Sequence, residues 1–170
     1  MDNSEEQKQT SLGRDFLTYL CYRSDAGAGV VDVAENAQQF IVWIDGKIML
    51  EDDRGTPPNT VSYSGDGFST TDLKQAIRAG KKVKEARLRI DRGETICAFT
   101  LKADRFEISG LKIDMPRTND PDERFFDRIL NIEALNNILD DIFKQFLSDV
   151  SENRWREKGY QEFQKWLRKP

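Results

Sequence analysis

The chain has 170 residues and a formal net charge of −4, with 33% charged and 38% hydrophobic residues. This length and composition exclude a disordered chain and a membrane protein and favour one domain with a hydrophobic core. The sequence contains no histidine, so it lacks the most frequent general base and transition-metal ligand. Met1 to Thr10 is acidic and polar, unlike a signal peptide, and we predict a cytoplasmic protein.

The first predicted element is a helix that follows a polar tail of residues 1–10. Apolar residues recur at helical spacing from Leu12 to Cys21, and the Gly-containing stretch after Ser24 ends that pattern. Cys21 and Cys97 lie far apart at apolar positions. We therefore expect two reduced, buried thiols, with a disulfide or a reactive thiol as the alternatives.

A β-hairpin is predicted next. Two β-rich runs, Phe40–Ile44 and Lys47–Leu50, flank the dipeptide Asp45-Gly46. Asp-Gly readily adopts the positive φ angles of a type I′ turn. Val30–Val33 is predicted as an earlier edge strand.

A long loop is predicted from residue 51 to residue 69, with one short strand at Val61–Tyr63. The loop is rich in Asp, Gly and Pro, which are typical of turns. A short helix over Thr71–Ala79 follows. Ser69 or Thr70 is expected to cap its start, and Gly80 to end it in the left-handed conformation.

Three strands forming a meander are predicted after this helix, at Lys82–Asp91, Glu94–Lys102 and Arg105–Ile113. Asp120-Pro121 then provides an N-cap residue and a proline for the first position of a long helix. One wide apolar stripe runs along that helix and needs a sheet to cover it. It consists of Phe125, Ile129, Ile132, Leu135, Leu139, Ile142, Phe143, Phe146, Leu147 and Val150.

These elements predict an α+β fold in which an antiparallel meander sheet packs against a long C-terminal helix. An N-terminal helix and a short middle helix complete the fold, which we expect to span residues 11–152. Residues 153–170 are predicted as a helical extension. Its aromatic residues are expected to pack on the core; they are Trp155, Tyr160, Phe163 and Trp166.

Carboxylates offer one candidate metal site. Asp52, Asp53 and Asp66 could bind Mg²⁺ in a phosphodiester-cleaving enzyme, but their spacing fits no calcium loop and is typical of a solvated loop. We therefore predict no catalytic residues, no metal and no cofactor.

Basic residues are concentrated between Asp72 and Arg92, where eight basic and three acidic residues give a net charge of +5. Residues 151–170 carry a further +3. A polarised charge distribution favours contact with phosphates, although a solvated sheet face would have the same composition. The candidate nucleic-acid-binding residues are Lys74, Arg78, Lys81, Lys82, Lys84, Arg87 and Arg89.

Several segments together resemble RdgC-type recombination-associated proteins, over their C-terminal half. The similarity covers roughly Leu12 to Trp155, and the family's N-terminal half has no counterpart in this sequence. The segments that carry it are Leu12–Leu20 with Tyr22-Arg23-Ser24, Ala79–Val83, Phe99–Ala103, Leu111–Ile113, Glu123–Ile129 and Glu133–Leu135.

The resemblance implies a non-enzymatic protein that binds DNA without sequence preference and is linked to recombination or replication. Family members form a ring-shaped dimer around duplex DNA, so the resemblance also implies a homodimer in the bacterial cytoplasm or nucleoid. The basic meander and helix would then face the DNA. The alternative is a protein-interaction module, a homodimer or an adaptor, that uses the long helix or the aromatic C-terminus and binds no DNA.

Overall fold

The computed structural model describes residues 3–33, 38–52, 57–65, 69–151 and 155–169, without the side chains of residues 3–10, 38, 155 and 156. The described residues form four α-helices and six strands. In chain order they are α1 (Asn3–Ala26), β1 (Val30–Val33), β2 (Gln38–Asp52), β3 (Asn59–Ser64), α2 (Thr70–Arg78), β4 (Lys82–Arg92), β5 (Thr95–Lys102), β6 (Glu107–Asp114), α3 (Pro121–Ser151) and α4 (Tyr160–Arg168). A 3₁₀ turn (Ala103–Arg105) precedes β6, and a π-helical turn (Trp155–Gly159) precedes α4.

The α+β fold is confirmed. All strand pairs are antiparallel, and the sheet order is β1-β2-β4-β5-β6, with β3 pairing to the other half of β2. The meander predicted from β4 to β6 is present, and so are the predicted strands at β1 and β3. Within the described ranges, no helix is long and apolar enough to cross a membrane.

The predicted hairpin at Asp45-Gly46 is wrong. β2 is one long strand, and both of its halves pair with β4, Ile44 opposite Leu88 and Ile48 opposite Ala86. The dipeptide forms a bulge between these pairs, where Gly46 has a φ of 68°. A positive φ suits a bulge as well as a tight turn. Because β4 is long enough to pair with both halves of β2, the strand continues past the dipeptide.

Helix α1 begins at Asn3, whereas the sequence predicted a tail up to residue 10 and a helix from Leu12. The first turns contain Glu, Gln and Lys, which are good helix formers but show no apolar periodicity. The helix ends as predicted, because Gly27 and Gly29 donate backbone hydrogen bonds to Arg23 and Ser24. Gly13 lets α1 lie directly on the 3₁₀ turn, since a Cβ there would come within 2.0 Å of the Ala103 carbonyl oxygen.

The predicted caps of the other helices are confirmed. The Ser69 side chain accepts a hydrogen bond from the Thr71 amide at the start of α2, and Gly80 follows that helix with a φ of 90°. At the start of α3, the Asp120 carboxylate accepts hydrogen bonds from the amides of Asp122 and Glu123. Such caps satisfy amides that have no partner inside the helix.

The core lies between α1 and one face of the sheet. Leu17 and Leu20 of α1 are fully buried, as are Leu88 and Phe99 of the sheet. The predicted C-terminal extension joins this core, because Trp166 of α4 is only 4% exposed. Tyr160 of the same extension is exposed, and the side chain of Trp155 lies outside the described residues.

A buried ion network fixes α1 to the sheet. Arg14 of α1 is 6% exposed, and its guanidinium donates to Glu51 of β2 at 2.9 Å and to Asp104 of the 3₁₀ turn at 2.6 Å. Lys84 and Thr60 donate to the other oxygen of Glu51. Burial raises the pKa of Glu51, but these hydrogen bonds and the charge of Arg14 outweigh it and hold the pKa below its ordinary value.

Candidate interaction surface

The predicted basic residues do not form one continuous free surface. Lys74 is buried in α2, where its ammonium lies over the Trp166 ring and 3.8 Å from Asp25. Lys81 is 8% exposed and donates to the carbonyl oxygen of Asn59. Both side chains therefore stabilise the fold.

Lys82 and Lys84 also make intramolecular ion pairs. The ammonium of Lys82 lies 2.8 Å from Asp15 of α1, and that of Lys84 lies 2.7 Å from the buried Glu51. Both lysine side chains are partly exposed. Each ammonium already binds a carboxylate, of α1 for Lys82 and of the ion network for Lys84.

Arg87 and Arg89 lie together on the outward face of β4, because they alternate with the buried residue Leu88. Arg87 pairs with Asp45 at 2.9 Å and Arg89 with Asp91 at 2.6 Å. These ion pairs partly neutralise the outward face of the sheet.

Trp43 and Arg78 differ in their position relative to these two arginines. Trp43 of β2 is paired in register with Arg89 and is 42% exposed. Arg78 is exposed at the end of α2. The structure therefore brings Arg87, Arg89 and Trp43 together and leaves Arg78 apart from them on another element.

The carboxylates proposed as a metal site are not fully described. Asp52 lies at the end of β2, whereas Asp53 and Asp66 fall outside the described residues. Among the residues that are described, no group of three or more His, Cys, Asp or Glu side chains is arranged to hold a metal ion.

Both cysteines are free and buried, as predicted. Burial raises the pKa of the Cys21 thiol to about 12, and it also raises the pKa of Cys97. A thiol with a raised pKa carries little of the reactive thiolate at neutral pH.

The N-terminal half of α3 carries an exposed apolar surface, which we call the α3 arm (residues 121–136). Its large apolar side chains are 36–63% exposed; they are Phe125, Phe126, Ile129, Leu130 and Ile132. The rings of Phe125 and Phe126 contact each other, with centroids 6.0 Å apart. Isolated exposed apolar residues are ordinary on protein surfaces, whereas a contiguous group marks an interaction site.

The C-terminal half of the same helix is covered on the side that faces α1. Phe146 is 3% exposed and packs on Phe16 and Tyr19 of α1, with ring centroids 5.6 and 5.2 Å away. Phe143 packs edge-on against Phe106, which follows the 3₁₀ turn. The sequence predicted that the meander covers one stripe along the whole helix. The ring contacts that cover the C-terminal half come from α1 and Phe106, and Leu147 and Val150 stay 39% and 46% exposed.

Sequence reasoning therefore missed the α3 arm as an exposed surface. The stripe is typical of a helix that packs on a core. Apolar periodicity predicts that a face is buried, but it does not identify the element that buries it. One signal was available, since Phe125-Phe126 and Ile129-Leu130 widen the stripe beyond what one covering face requires.

The chain was compared with protein-family models, with curated proteins and with solved structures, and none of the three comparisons gives a match. The resemblance to RdgC-type proteins accordingly stays a prediction from the sequence.

Proposed function

We propose that this protein is an interaction module that binds another protein chain through the α3 arm. The observation that supports the proposal is the group of five large apolar side chains that the N-terminal half of α3 presents to solvent within the described structure. Burying apolar surface contributes about 25 cal/mol per Å², so covering these side chains favours association. No catalytic step is part of the proposal.

The aromatic composition of the arm is appropriate for this role. Interface centres are enriched in aromatic residues and depleted in charged ones, and a few central side chains provide most of the binding free energy. Phe125 and Phe126 are 61% and 63% exposed. Charged residues surround them, among them Asp122 and Arg124, in the arrangement of a polar rim.

Site-specific photo-crosslinking in the cells that make the protein tests this proposal. A photoreactive phenylalanine analogue replaces Ile129, and irradiated adducts are identified by mass spectrometry. We expect a discrete protein adduct. The control carries the same analogue at the exposed Arg92, the last residue of β4, where no adduct should form. Absence of any protein adduct at position 129 would overturn the proposal.

Nucleic-acid binding by the outward face of the sheet is the second candidate. The observation that favours it is the exposed indole of Trp43 beside Arg89 and Arg87. An aromatic ring next to guanidinium groups is the arrangement that proteins use to stack a base and contact its phosphate. We rank it second because both arginines already pair with carboxylates.

Fluorescence anisotropy with labelled single-stranded and duplex oligonucleotides tests this second candidate. Binding through phosphates should weaken steeply from low to physiological salt, and an Arg87→Ala/Arg89→Ala variant should bind less tightly. Arg78→Ala, which removes one positive charge on another element, is the control for each of the single substitutions Arg87→Ala and Arg89→Ala. No binding at low salt would exclude this function.

A further inference from the structure

The charged residues around the α3 arm indicate what kind of chain covers it. Side chains three or four residues apart share one face of a helix. A series with this spacing begins at Asp122 and continues through Phe126 and Ile129 to Glu133, and Asp140 follows two turns later. The exposed apolar side chains of the arm therefore lie between carboxylates at both ends of their face.

The two arginines of the arm lie on a different side of the helix. Arg124 is two residues before Phe126, and Arg128 is two residues after it. Residues two apart on a helix do not face each other, so neither guanidinium lies on the face that carries Phe126. Residues 121–140 contain five acidic and two basic residues, and three of the acidic ones belong to the apolar face.

The carboxylates at the two ends of the arm are available to a partner. Asp122 and Glu133 are exposed, and neither makes an ion pair within the part of the chain that the structure describes. Asp140 differs, because the ammonium of Lys144 lies 2.8 Å from it. Two free carboxylates thus flank the exposed apolar side chains of the arm.

We propose that the α3 arm binds a basic amphipathic helix of a second protein. This inference rests on the proposed function and names the class of its partner. A helix face with side chains at three- and four-residue spacing packs against another helix by interleaving rows of side chains. Apolar residues of the partner cover Phe126, Ile129 and Leu130, and its Lys or Arg residues pair with Asp122 and Glu133.

The charges select this partner over two others. A second copy of the arm presents the same carboxylates, and like charges brought together at an interface suppress association. Nucleic acid presents phosphates, which the carboxylates of Asp122 and Glu133 repel. A helix with lysine or arginine beside its apolar residues complements both the apolar and the charged parts of the face.

A pocket at the C-terminal end of the arm gives the partner an anchoring point. It has a volume of about 290 Å³ and is lined by Phe16 and Phe106 on its apolar side and by Asn136 and Asp140 of α3. Asn136 is seven residues, or about two turns, after Ile129. The pocket therefore opens on the face that the arm presents. One large apolar side chain of the partner fits it, and such anchors provide much of the binding free energy at interfaces.

Fluorescence anisotropy with two labelled model peptides tests the chemistry of the partner. Each peptide is a helix former of about five turns; the first has leucine on one face and lysine on the other, and the second has glutamate in place of lysine. We expect the lysine peptide to bind the full chain and the glutamate peptide not to bind. Equal affinity for the two peptides, or no binding of the lysine peptide, overturns the inference.

Substitutions in the arm locate the binding surface of the lysine peptide. Asp122→Asn/Glu133→Gln should weaken binding about fivefold, because two exposed charge pairs are lost. The matched control, Asp72→Asn/Glu94→Gln, removes the same two charges from other elements and should leave the affinity unchanged. Phe126→Ala should weaken binding about tenfold or more, as expected of a central aromatic side chain. Equal effects of the two double variants overturn the assignment to the arm.

The photo-crosslinking experiment separates this inference from the proposed function. Tandem mass spectrometry identifies the segment joined to position 129, and we expect a helix of a second protein that is rich in Lys or Arg. An adduct with an acidic segment, or with a second copy of this chain, refutes the basic helix and retains the interaction module. Absence of any protein adduct refutes both.

The same photoreactive analogue at Asn136 tests the anchoring pocket. We expect an adduct with the protein that is captured at position 129, because both residues lie on the face that the partner covers. An adduct at position 129 without one at position 136 overturns the role of the pocket.

Discussion

The two halves of α3 have the same apolar spacing but different surroundings. In the C-terminal half, Ile142 and Phe146 are buried against α1 and the sheet. In the N-terminal half, Phe125 and Phe126 are more than 60% exposed. One helix of 31 residues thus contains both a core element and a surface. The difference shows that the length of α3 relative to the body of the domain, and not its local pattern, decides which side chains are buried.

The extra length of α3 has a structural cause. The side chain of Asn131 contacts Met115, which directly follows the edge strand β6. Residues before this point have little of the domain beside them, because β6 is an edge strand of the sheet that the described residues form. The arm therefore extends beyond the edge of the sheet, and substitutions in the two halves of α3 should have unequal effects on stability.

The largest expected effect is from Phe146→Ala. Truncating a buried phenylalanine removes apolar contacts and leaves a cavity, which costs about 3–5 kcal/mol of unfolding free energy. The measurement is urea denaturation in an Ile129→Glu background, which removes any contribution from association through the α3 arm. Phe126→Ala in the same background is the control and should change the free energy by less than about 0.5 kcal/mol. Equal losses in the two variants would contradict the division of α3.

Arg14→Ala should destabilise the covered half indirectly, by releasing α1. Removing one partner of a buried ion pair costs about 3–5 kcal/mol because the other charge stays buried and unpaired. Here Glu51 loses the guanidinium but keeps Lys84 at its other oxygen, so the loss should lie at or below the low end of this range. Arg128→Ala on the arm is the matched change and should alter the unfolding free energy of the Ile129→Glu background by about 0.5 kcal/mol or less. Thermal and urea unfolding measure the stability change of each variant.

Alkaline pH should weaken the contact between α1 and the covered half. The Tyr19 hydroxyl donates to Asp149 of α3 at 2.7 Å. Burial raises the pKa of Tyr19 above its ordinary value, an effect that Arg23 opposes and Asp149 reinforces.

A folded-state pKa above the unfolded one means that stability is lost as pH rises past the unfolded value of about 10, with a slope of at most about 1.4 kcal/mol per pH unit for one proton. Tyr19→Phe removes this ionisation, so the unfolding free energy of the variant should fall less steeply between pH 9 and pH 11 than that of the unaltered protein. The difference between the two slopes should be on the order of that for one proton. Equal slopes in urea titrations of the two proteins would contradict the assignment.

The smallest effect is expected for the arm itself. Leu130→Gln should change the unfolding free energy of the Ile129→Glu background by less than about 0.5 kcal/mol, because the side chain is 60% exposed. Backbone amides of residues 124–132 should also exchange with solvent faster than those of residues 138–146, since exchange protection follows buried contacts. Protection as strong in the arm as in the covered half would show that the arm is held by contacts the structure does not contain.

Local chemistry was enough to predict most individual elements. Ser69, Gly80 and Asp120-Pro121 were recognised as helix boundaries, because capping depends on residues within one turn of the helix end. The alternation of Phe99 and Leu101 with polar residues was likewise enough to predict β5. The buried ion network was not predicted, because nothing near Arg14 in the sequence indicates Glu51 or Asp104 as its partners.

The sequence by itself determined the α+β class, the antiparallel meander and the apolar stripe of α3, since these depend on periodicity and turn chemistry over a few residues. Only the tertiary structure decided that Asp45-Gly46 forms a bulge, since a positive φ suits either a turn or a bulge and the partner strand selects between them. It also decided which basic residues form ion pairs and which half of α3 packs on the core. Burial and ion pairing depend on residues distant in sequence, and no local pattern contains that information.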